Sequence, residues 1–402
     1  MTQVAVAVAA PELDIDPYDD AVLESPFAMF DQLRQAPAVY LKRYGVYAIG
    51  RYRQVRDAMK DWETFSSSGG IGLTDVREPD TWRARSPIGD VDPPEHTQVR
   101  TVIQRILSPQ VIRGWRAGFE EEAERLIGEM VEREYVDGVQ DLAEAYVSTS
   151  FPKAMGIRHT PELRANWYLM GELNFDSQGP RNARYLATQQ RADALIKDWQ
   201  QASMQRESLM PGGFGIKIFE AADAGQMAPE LAPLLIRSFL RGGLDTTTAM
   251  ISSVLYYLAR DPSQYARLRE DPSLARPALD ETMRLESPSQ TAYRLTMRDA
   301  VVDGVMIPAN KKVMLQLGAA NRDPAFWDRP DEFDIARNPV GHLALGHGVH
   351  MCVGQMIARL EGECVLNALI KRVGKLSLEG PTTQRLNNAL RSLKTLPLRL
   401  QA

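Results

Sequence analysis

The sequence predicts a mainly α-helical protein with small β-sheets, built as one large domain. Most of the middle of the chain has apolar residues three and four positions apart among Glu, Arg, Ala and Leu, as in AGFEEEAERLIGEMVERE (117–134). Strand-like stretches are short and lie nearer the ends. At 402 residues the chain has the length of two or three domains, but no linker, charge block or repeat marks a boundary. We therefore expect residues 16–402 to form a single domain.

The N-terminal end is expected to contribute little to this domain. Residues 1–15 contain a short apolar run that has no basic region before it and breaks into acidic residues and prolines, which predicts a flexible tail, frayed or loosely docked, and no targeting signal. The first strand-like stretch is AVYLKRYGVYAIGR (38–51), and the second is AVVDGVMIPANKKVMLQ (300–316), where DG and PAN are turn signals. Both predict small sheets beside a helical body.

The segment PELAPLLIRSFLRGGLDTTTAMISSVLYYLARDP (229–262) is expected to form the central helix. Its apolar residues occupy several faces, as in a helix that is buried on most sides. Gly242, Gly243 and three threonines lie mid-way, and these residues weaken a helix and compete for its backbone hydrogen bonds. Asp245 adds a charge. Two interpretations are open: a local kink packed against a neighbour, or an opening of the helix at an active site.

Composition and charge exclude several classes of function. The net charge is -5 and the Lys and Arg residues are spread along the chain, so nucleic-acid binding is not expected. The two cysteines, Cys352 and Cys364, form neither a CxxC pair nor a disulfide framework, which is typical of a reducing cytoplasm. The uncharged stretch TTTAMISSVLYYLA (246–259) is too short to span a bilayer. We expect a soluble, cytoplasmic protein without a membrane partner.

Residues 342–354, HLALGHGVHMCVG, gather three of the five histidines around one of the two cysteines. One interpretation is a zinc or copper site, with ligands taken from His342, His347, His350 and Cys352. Against it, three glycines lie among these residues, and VGQMIARLEGE after the cysteine is typical of a helix start. Glycines let the backbone pass close to a flat group, and a helix N-terminus lowers the pKa of a thiol. These features favour a single thiolate ligand, Cys352, on a tight loop.

This loop resembles the haem-binding loop of cytochrome P450 enzymes, Phe-Gly-x-Gly-x-His-x-Cys-x-Gly followed by Ala-Arg-x-Glu. The residues in register are Leu345, Gly346, Gly348, His350, Cys352, Gly354, Ala358, Arg359 and Glu361. The resemblance implies the cytochrome P450 fold, a triangular helical prism with haem b (iron protoporphyrin IX) between a long central helix and the cysteine loop. It also implies that Cys352 is the axial thiolate of the haem iron. Leu345 replaces the usual phenylalanine near the sulfur, which alters the tuning of the iron and leaves its ligation intact.

Two further motifs stand at positions similar to those of the family. GGLDT (242–246) resembles the acid-alcohol pair of the family's central helix, which implies that Asp245 and Thr246 deliver protons to bound dioxygen. ETMR places Glu281 and Arg284 on one helix face, where an internal ion pair is expected. The arginine that usually completes this network is replaced by Glu332, so its third partner is open.

The resemblance also implies which cations hold the haem propionates. They are His96 and Arg100 in DPPEHTQVR, Arg294 in AYRLTMRD, and His350. Each of them, taken singly, would be more typical of a surface charge. Their joint register favours the propionate role, because charge-assisted hydrogen bonds to carboxylates are strong where water is scarce.

Within the superfamily, the chain resembles soluble bacterial enzymes that oxidise para-substituted benzoic acids, including the O-demethylation of 4-methoxybenzoate in aromatic acid catabolism. The stretches that carry this resemblance are 86–100, 232–248, 316–331 and 351–363. A small aromatic carboxylate needs a cationic or hydroxyl clamp and apolar walls. The resemblance implies a clamp of Arg83, Ser86, Arg237 and Ser238, and walls of Ile88, Phe175 and Tyr293. The alternatives are that Arg83 is a solvated loop charge and that the aromatic residues belong to the core.

Four residues depart from those relatives. Gly89, Gly242 and Gln178 replace larger or more apolar residues, which predicts a wider and wetter pocket with room for ring substituents beyond the para group. Arg241 stands where a small residue is expected, four positions before Asp245. It is expected either to form an i,i+4 ion pair with that acid or to contact the substrate carboxylate.

We therefore predict a haem-thiolate monooxygenase that uses dioxygen and two electrons to O-demethylate or hydroxylate a substituted benzoic acid. A hydroxylated methoxy carbon falls apart to the phenol and formaldehyde. No flavin or iron–sulfur segment follows the cysteine loop, so a separate [2Fe-2S] ferredoxin and its NAD(P)H-dependent ferredoxin reductase are expected, docking on the cysteine side by complementary charge. The alternatives are a P450 for another small organic substrate, a peroxide-driven peroxygenase and a non-haem metal protein.

Overall fold

The computed structural model describes residues 7–158 and 160–402, and most of them are helical. The α-helices follow one another as α1 (Asp20–Glu24), α2 (Phe27–Leu33), α3 (Tyr52–Lys60), α4 (Glu95–Ile106), α5 (Pro109–Gly114), α6 (Arg116–Arg133), α7 (Ala145–Met155), α8 (Arg164–Asp176), α9 (Ala183–Leu195), α10 (Lys197–Ser203), α11 (Phe214–Asp223), α12 (Leu231–Gly243), α13 (Asp245–Arg260), α14 (Pro262–Glu270), α15 (Ala275–Glu286), α16 (Leu317–Asn321) and α17 (Gln355–Arg372). A π-helix, Gly138–Glu144, precedes α7. The predicted mainly helical class is confirmed.

The strands are short and form small sheets. They are β1 (Val8–Ala9), β2 (Glu12–Leu13), β3 (Val39–Leu41), β4 (Val46–Ile49), β5 (Phe65–Ser66), β6 (Tyr135–Asp137), β7 (Thr291–Thr296), β8 (Ala300–Val302), β9 (Val305–Ile307), β10 (Lys312–Gln316), β11 (Lys375–Leu378), β12 (Thr383–Arg385), β13 (Ser392–Thr395) and β14 (Pro397–Gln401). The sheet with the most strands in the described part of the chain has the order β2-β3-β4-β10-β7-β5. It therefore joins both stretches that the sequence predicts to be strand-like.

Local sequence explains where these elements begin and end. In α6 the buried residues Phe119, Ala123, Leu126, Ile127 and Met130 lie three, four or one positions apart, so they form one stripe facing the core. Between β8 and β9, Asp303 and Gly304 both have positive φ (43° and 83°), as in a tight hairpin turn. The DG turn signal is confirmed.

The predicted N-terminal tail is in part docked. Residues 1–6 lie outside the described residues. Beyond them, β1 runs parallel to β9 and β2 runs parallel to β3. Of the frayed and the loosely docked tail that the sequence allows, these two strands form the docked one, because edge positions in existing sheets satisfy the backbone of short segments whatever their composition.

The central helix is interrupted where the sequence predicts it to be weak. Leu244 separates α12 from α13, and α13 is buried on nearly all sides. The Thr246 hydroxyl donates to the carbonyl of Gly242 (3.0 Å) and so satisfies a group that the interruption frees. A Cβ at Gly243 would lie 2.4 Å from the ring of Phe151, so only glycine fits there. The central helix is therefore both interrupted and closely packed at this point.

A buried ion-pair network fixes the helix before β7. Arg284 on α15 donates to both carboxylate oxygens of Glu281 (2.8 and 2.9 Å), and both residues are fully buried. Arg337 donates to the same carboxylate (2.9 Å) and is the third partner that the sequence left open. Glu332 contributes its backbone carbonyl (3.3 Å), while its side chain pairs with Arg329 at the surface (2.9 Å).

None of the helices in residues 7–158 and 160–402 combines the length and the apolar character needed to cross a bilayer.

Candidate active site

An internal cavity of about 360 Å³ lies between the central helix and the cysteine loop. Gly242 and Thr246 line it from the central helix, and Cys352 and Gly354 line it from the loop. Phe175, at the end of α8, forms part of a side wall. A mainly apolar cavity of this size is typical of a small-molecule site.

The cysteine loop is held by its own backbone. The Cys352 N–H donates to the carbonyl of Leu345 (2.7 Å), and α17 begins three residues after the cysteine. Gly346 and Gly348 have positive φ (74° and 71°), and a Cβ on Gly348 would lie 2.8 Å from the carbonyl of Met59. These two glycines therefore let the loop turn sharply against α3 and present the sulfur to the cavity.

The pKa of the Cys352 thiol differs in part from the sequence prediction, in which the helix N-terminus lowers it. Burial raises its pKa, whereas the N–H groups of Gly354 and Gln355 and the charges of Arg100 and Arg359 lower it. The helix N-terminus acts in the predicted direction, but burial outweighs it and the net shift is upward. A bound cation would reverse this balance, because a metal ion stabilises the thiolate.

The histidines of the loop do not form a multidentate metal site. His342 lies beside Asp280, with Nε2 3.6 Å from Oδ1. His350 has a different neighbour, with its Nε2 atom 3.9 Å from Oδ1 of Asp92. Among the described residues, no group of three or more His, Cys, Asp or Glu side chains is arranged to hold a metal ion. The interpretation of a zinc or copper site built from several side chains of this loop is therefore wrong.

Four basic side chains meet beside the cavity without sufficient partners. The rings of His96 and His350 are 4.3 Å apart, and the Nε2 atom of each is buried without a hydrogen bond, as is Nε of Arg100. Arg294 is 3% exposed, and its guanidinium donates to the carbonyl of Tyr293 (2.8 Å). Burial and nearby positive charges lower the pKa of His96 to about 4, and burial lowers that of Arg294 to about 10. Two carboxylates placed here would satisfy these donors, so the residues fit the propionates of haem.

Asp245 and Thr246 face different surroundings. Thr246 lines the cavity, whereas Asp245 is not among the lining residues and is 3% exposed. Its Oδ2 atom is buried without a hydrogen bond, and burial raises its pKa to about 7. The acid-alcohol pair is thus adjacent in sequence, but in this conformation the acid lies on the side of the helix away from the cavity.

The predicted substrate residues divide into two groups. Those that line the cavity are Ile88, Gly89, Phe175, Gln178, Ser238 and Gly242. Those that do not are Arg83, Ser86, Arg237, Arg241 and Tyr293. Ser86 nevertheless reaches the cavity wall, because its hydroxyl lies 3.3 Å from that of Ser238. No atom lies within 4 Å of a Cβ added to Gly242, which agrees with a wide pocket at that point.

Arg83 does not point into the cavity. Its Nη1 atom donates to both carboxylate oxygens of Asp90 (2.9 and 2.8 Å), and both side chains are buried. Asp90 also accepts from the backbone N–H groups of Ile71 (3.0 Å) and Ser86 (2.6 Å). The alternative of a solvated loop charge is therefore wrong for Arg83, because the side chain is buried and holds the loop that carries Ile71 and Ile88.

Tyr293 is a core residue and not a pocket wall. Its hydroxyl contacts that of Tyr18 (2.5 Å), and its ring packs beneath the ammonium of Lys312 (5.6 Å). Its neighbours on β7, Ala292 and Arg294, line the cavity. Because successive side chains of a strand point to opposite faces, the residue between them must face away.

Arg241 forms no ion pair with Asp245. Its guanidinium instead bonds the side-chain oxygen of Gln200 on α10 (2.6 and 3.2 Å), in the amide orientation that satisfies both groups. Burial and the charges of Arg237 and Arg83 lower its pKa to about 9. Among the described residues no ion pair within 4 Å joins Arg237 or Arg241 to a carboxylate, so two arginines near Ser238 lack a close counter-charge.

Glu361 is a cavity residue that the motif assigned no role. It is fully buried, and its Oε2 atom has no partner. The single hydroxyl proton of Ser150 faces two acceptors, the carbonyl of Tyr146 (2.9 Å) and Oε1 of Glu361 (2.6 Å). A protonated Glu361 that donates to Ser150 satisfies both contacts. Burial accordingly raises its pKa to about 8. In the sequence, the feature that could have identified this residue is a glutamate within the helix that follows the cysteine motif.

The neutral state of Glu361 predicts a pH effect on stability. A carboxyl with a pKa of about 8 when folded and 4.5 when unfolded binds a proton on folding, so stability falls as the pH rises between these values. Glu361→Gln keeps the shape and removes the titration. We expect the apparent melting temperature of wild type to fall more between pH 5.5 and 8 than that of E361Q, measured by circular dichroism. Asp245 and Asp176 titrate in both proteins, so their contributions cancel in the comparison. An equal change of melting temperature with pH in the two proteins would contradict a neutral Glu361.

Comparison with known proteins agrees with this geometry. A family model described as Cytochrome P450 matches residues 220–390. The chain is 44% identical over 392 residues to Cytochrome p450 CYP199A2 of Rhodopseudomonas palustris, covering 97% of this chain and 94% of that relative. It is 29% identical to the beta-dihydromenaquinone-9 omega-hydroxylase of Mycobacterium tuberculosis, over 95% of this chain and 78% of that one.

Solved structures give the same result for the fold. Cytochrome P450 CYP109Q5 from Chondromyces apiculatus superposes with a TM-score of 0.79 at 27% identity, covering 97% of this chain and 98% of that chain. Cytochrome P450 CREJ in complex with (4-ethylphenyl) dihydrogen phosphate gives 0.85 at 24% identity, with 96% and 99% covered. At that identity the second match bears on the fold alone.

Proposed function

This chain belongs to the cytochrome P450 family of haem-dependent monooxygenases, and on that premise we propose that it O-demethylates or hydroxylates a substituted benzoic acid of the para-methoxybenzoate type. Enzymes of this family bind haem b through a cysteine thiolate. When bound, the haem activates dioxygen with two electrons and inserts one oxygen atom into a C–H bond. The remaining steps are assigned to residues of this chain.

We assign the cofactor contacts to the residues around the cavity. Cys352 would supply the thiolate that binds the haem iron, because Cys364, the other cysteine of the chain, is buried and does not line the cavity. His96, Arg100, Arg294 and His350 hold the propionates. The buried, unpartnered nitrogens of His96, Arg100 and His350 support this assignment, because such groups are costly unless an anion satisfies them.

The observation that carries the substrate proposal is the polar end of an otherwise apolar cavity. The hydroxyls of Ser86 and Ser238 lie 3.3 Å apart at the cavity wall. Arg237 and Arg241 lie one turn apart on the helix that carries Ser238, and the charge of Arg237 lowers the pKa of Arg241. A carboxylate bound by the hydroxyls would balance this excess positive charge. Arg83 adds less to this excess, because Asp90 forms an ion pair with it.

The walls of the cavity fit an aromatic ring held toward the cysteine loop. Phe175 and Ile88 are apolar, and Gly89 and Gly242 leave space beside them. Gln178 places one amide group among them. This combination supports a benzoic acid with a second ring substituent, whose polar atoms Gln178 would bind.

Protons and electrons come from opposite sides of the site. Thr246 lines the cavity and Asp245 is the adjacent buried acid, so we assign proton delivery to this pair. Electrons are supplied by a separate [2Fe-2S] ferredoxin and its NAD(P)H-dependent reductase, which dock on the side of the cysteine loop.

A spectral titration tests the substrate class. We expect 4-methoxybenzoate to displace the water on the iron and shift the Soret band, whereas its neutral methyl ester should bind about 10–100-fold more weakly, because hydrogen bonds to a charged group contribute about 1.5–3 kcal/mol. Ser238→Ala should weaken binding of the acid by a similar factor and leave the ester unchanged. Equal affinity for acid and ester in wild type would disprove the carboxylate clamp.

A further inference from the structure

The turn that joins α8 to α9 (residues 177–182) is held by one buried residue from a distant part of the chain. Asn388, 3% exposed, lies on the turn between β12 and β13 (residues 386–391). Its Nδ2 atom donates to the carbonyl of Asp176 at the end of α8 (2.9 Å), and its Oδ1 atom accepts from Asn182, the N-cap of α9 (3.0 Å). Its backbone N–H donates to the carboxylate of Asp176 (3.0 Å). Asn388 therefore joins both ends of the α8–α9 turn to the β12–β13 turn.

The β12–β13 turn also supports two walls of the cavity from behind. Ala389 and Leu390 pack against Phe175, which lines the cavity on α8. The N–H of Arg391 donates to the carbonyl of Pro288 (2.8 Å), another lining residue. None of residues 386–391, which the structure describes throughout, lines the cavity itself. Any effect of this turn on a bound substrate must therefore act through the wall residues that it contacts.

The α8–α9 turn is closely packed on both sides. On one side, the N–H of Leu73 donates to the carbonyl of Gln178 (2.7 Å), and a Cβ on Gly72 would lie 2.9 Å from Cα of Gln178. On the other side, a Cβ on Gly179 would lie 2.6 Å from Cβ of Asn388. Neither glycine has room for a side chain, so the backbone of Gln178 is confined between the two neighbouring segments. Since Gln178 lines the cavity, these contacts fix the point from which its side chain enters.

Asp176 takes part through its carboxylate as well as its backbone. It is fully buried, and its second carboxylate oxygen accepts from the hydroxyl of Thr188 on α9 (2.8 Å). Burial raises its pKa to about 6, and the hydrogen bonds from Asn388 and Thr188 oppose that shift. These hydrogen bonds therefore favour the ionised carboxylate, and contacts to a charged group are among the stronger hydrogen bonds in proteins. The end of α8 is thus fixed both to α9 and to the β12–β13 turn.

We propose that Asn388 and Asp176 are positioning residues that determine which ring position of the substrate is oxidised. The inference rests on the proposed function, the oxidation of a substituted benzoic acid. Neither residue lines the cavity. Together they fix the end of α8, and the fixed helix end directs Phe175 and Gln178 into the cavity, where these two side chains hold the ring. A wall fixed in this way presents one C–H bond for oxidation, whereas a loosened wall lets the ring turn about its bound carboxylate and present another.

The Asn388→Ala variant tests this role with 3,4-dimethoxybenzoate, whose two methoxy groups compete for oxidation. With a ferredoxin and its reductase, the ratio of the two phenol products reports how the ring is held. We expect N388A to change this ratio at least about 5-fold from that of wild type, because a misplacement of about 1 Å changes reaction rates by up to about 100-fold. Only folded, haem-loaded enzyme forms product, so the ratio does not depend on how much of the variant folds. An unchanged ratio would overturn the proposal.

Asp176→Ala and Asp176→Asn separate the contact from the charge. Asparagine keeps an oxygen that accepts from the N–H of Asn388 and an amide that can donate to Thr188, whereas alanine keeps neither. D176A should therefore change the product ratio as N388A does, and D176N should keep the wild-type ratio. Tyr265→Phe is the control for a general loss of stability, because it removes a buried hydrogen bond to the carbonyl of Val373 (2.7 Å) from a residue that does not line the cavity. A ratio that changes equally in Y265F or in D176N would contradict the positioning role.

A binding measurement separates the inference from the proposed function. 4-Phenylimidazole binds haem iron through a nitrogen and places its phenyl group in the cavity, whereas imidazole lacks that group. N388A should bind 4-phenylimidazole about 3–10-fold more weakly than wild type, because the loosened wall must be ordered on binding, and should bind imidazole equally. If wild type oxidises neither 4-methoxybenzoate nor 3,4-dimethoxybenzoate, the substrate proposal fails and these affinities decide the role of Asn388. If wild type oxidises them and N388A matches it in both the product ratio and the affinities, Asn388 has no positioning role and the substrate proposal stands.

Discussion

Replacement of Cys352 by serine should abolish the far-red-shifted Soret band that reduced thiolate-ligated haem gives with carbon monoxide. The electron density that a thiolate transfers to iron causes this band and also favours O–O cleavage, and a serine hydroxyl supplies neither. Loss of a group that merely supports a ligand costs about 10–100-fold in activity. Loss of the ligand itself should therefore lower oxidation of 4-methoxybenzoate by more than about 100-fold. Spectra and product yields measure the two effects.

The second cysteine provides the matched control. Cys364 lies on α17, packs in the core and is 1% exposed, and burial raises the pKa of its thiol to about 12. It does not line the cavity. C364S should therefore keep the shifted band and most of the activity. A C352S protein that retained the band, or a C364S protein that alone lost it, would show that Cys352 is not the ligand.

The features that could be predicted from the sequence depend on local patterns. The HLALGHGVHMCVG loop turns at Gly346 and Gly348 and precedes a helix, as expected, because turn glycines and helix starts are determined within a few residues. The interruption of the central helix at GGLDTTT is likewise local. The mainly helical class could be predicted from the spacing of apolar residues along the chain, because that spacing can be read without knowing which helices contact one another.

The features that the sequence left open or misplaced concern partners that are distant in sequence or directions set by packing. Nothing in the sequence near Arg337 identifies it as the partner of Glu281, 56 residues away, because tertiary folding alone brings them together. Arg83 looked available, yet Asp90 turns back to neutralise it. Tyr293 was an avoidable error, since strand alternation forbids it from sharing a face with Arg294.

Substitution of Glu281 by glutamine should be among the most destabilising single changes in this protein. The carboxylate of Glu281 accepts from Arg284 and Arg337 inside the core, and neither Glu281 nor Arg284 has any exposed surface. Removal of one member of a buried ion pair costs about 3–5 kcal/mol, because it leaves a charge without compensation. Here two guanidinium groups lose their anion. Folded domains are stable by only about 5–15 kcal/mol, so this change should remove a large part of the free energy of unfolding.

Urea unfolding of the haem-loaded variants measures this effect against two controls. Arg337→Met leaves the pair of Glu281 and Arg284 intact, so it should cost less than E281Q. Glu332→Gln removes an ion pair in which Arg329 and Glu332 are 55% and 61% exposed, and exposed pairs contribute about 0–1 kcal/mol. The expected order of unfolding midpoints is therefore wild type and E332Q highest, R337M next and E281Q lowest. An E281Q midpoint equal to that of E332Q would show that the buried network does not hold α15 in place.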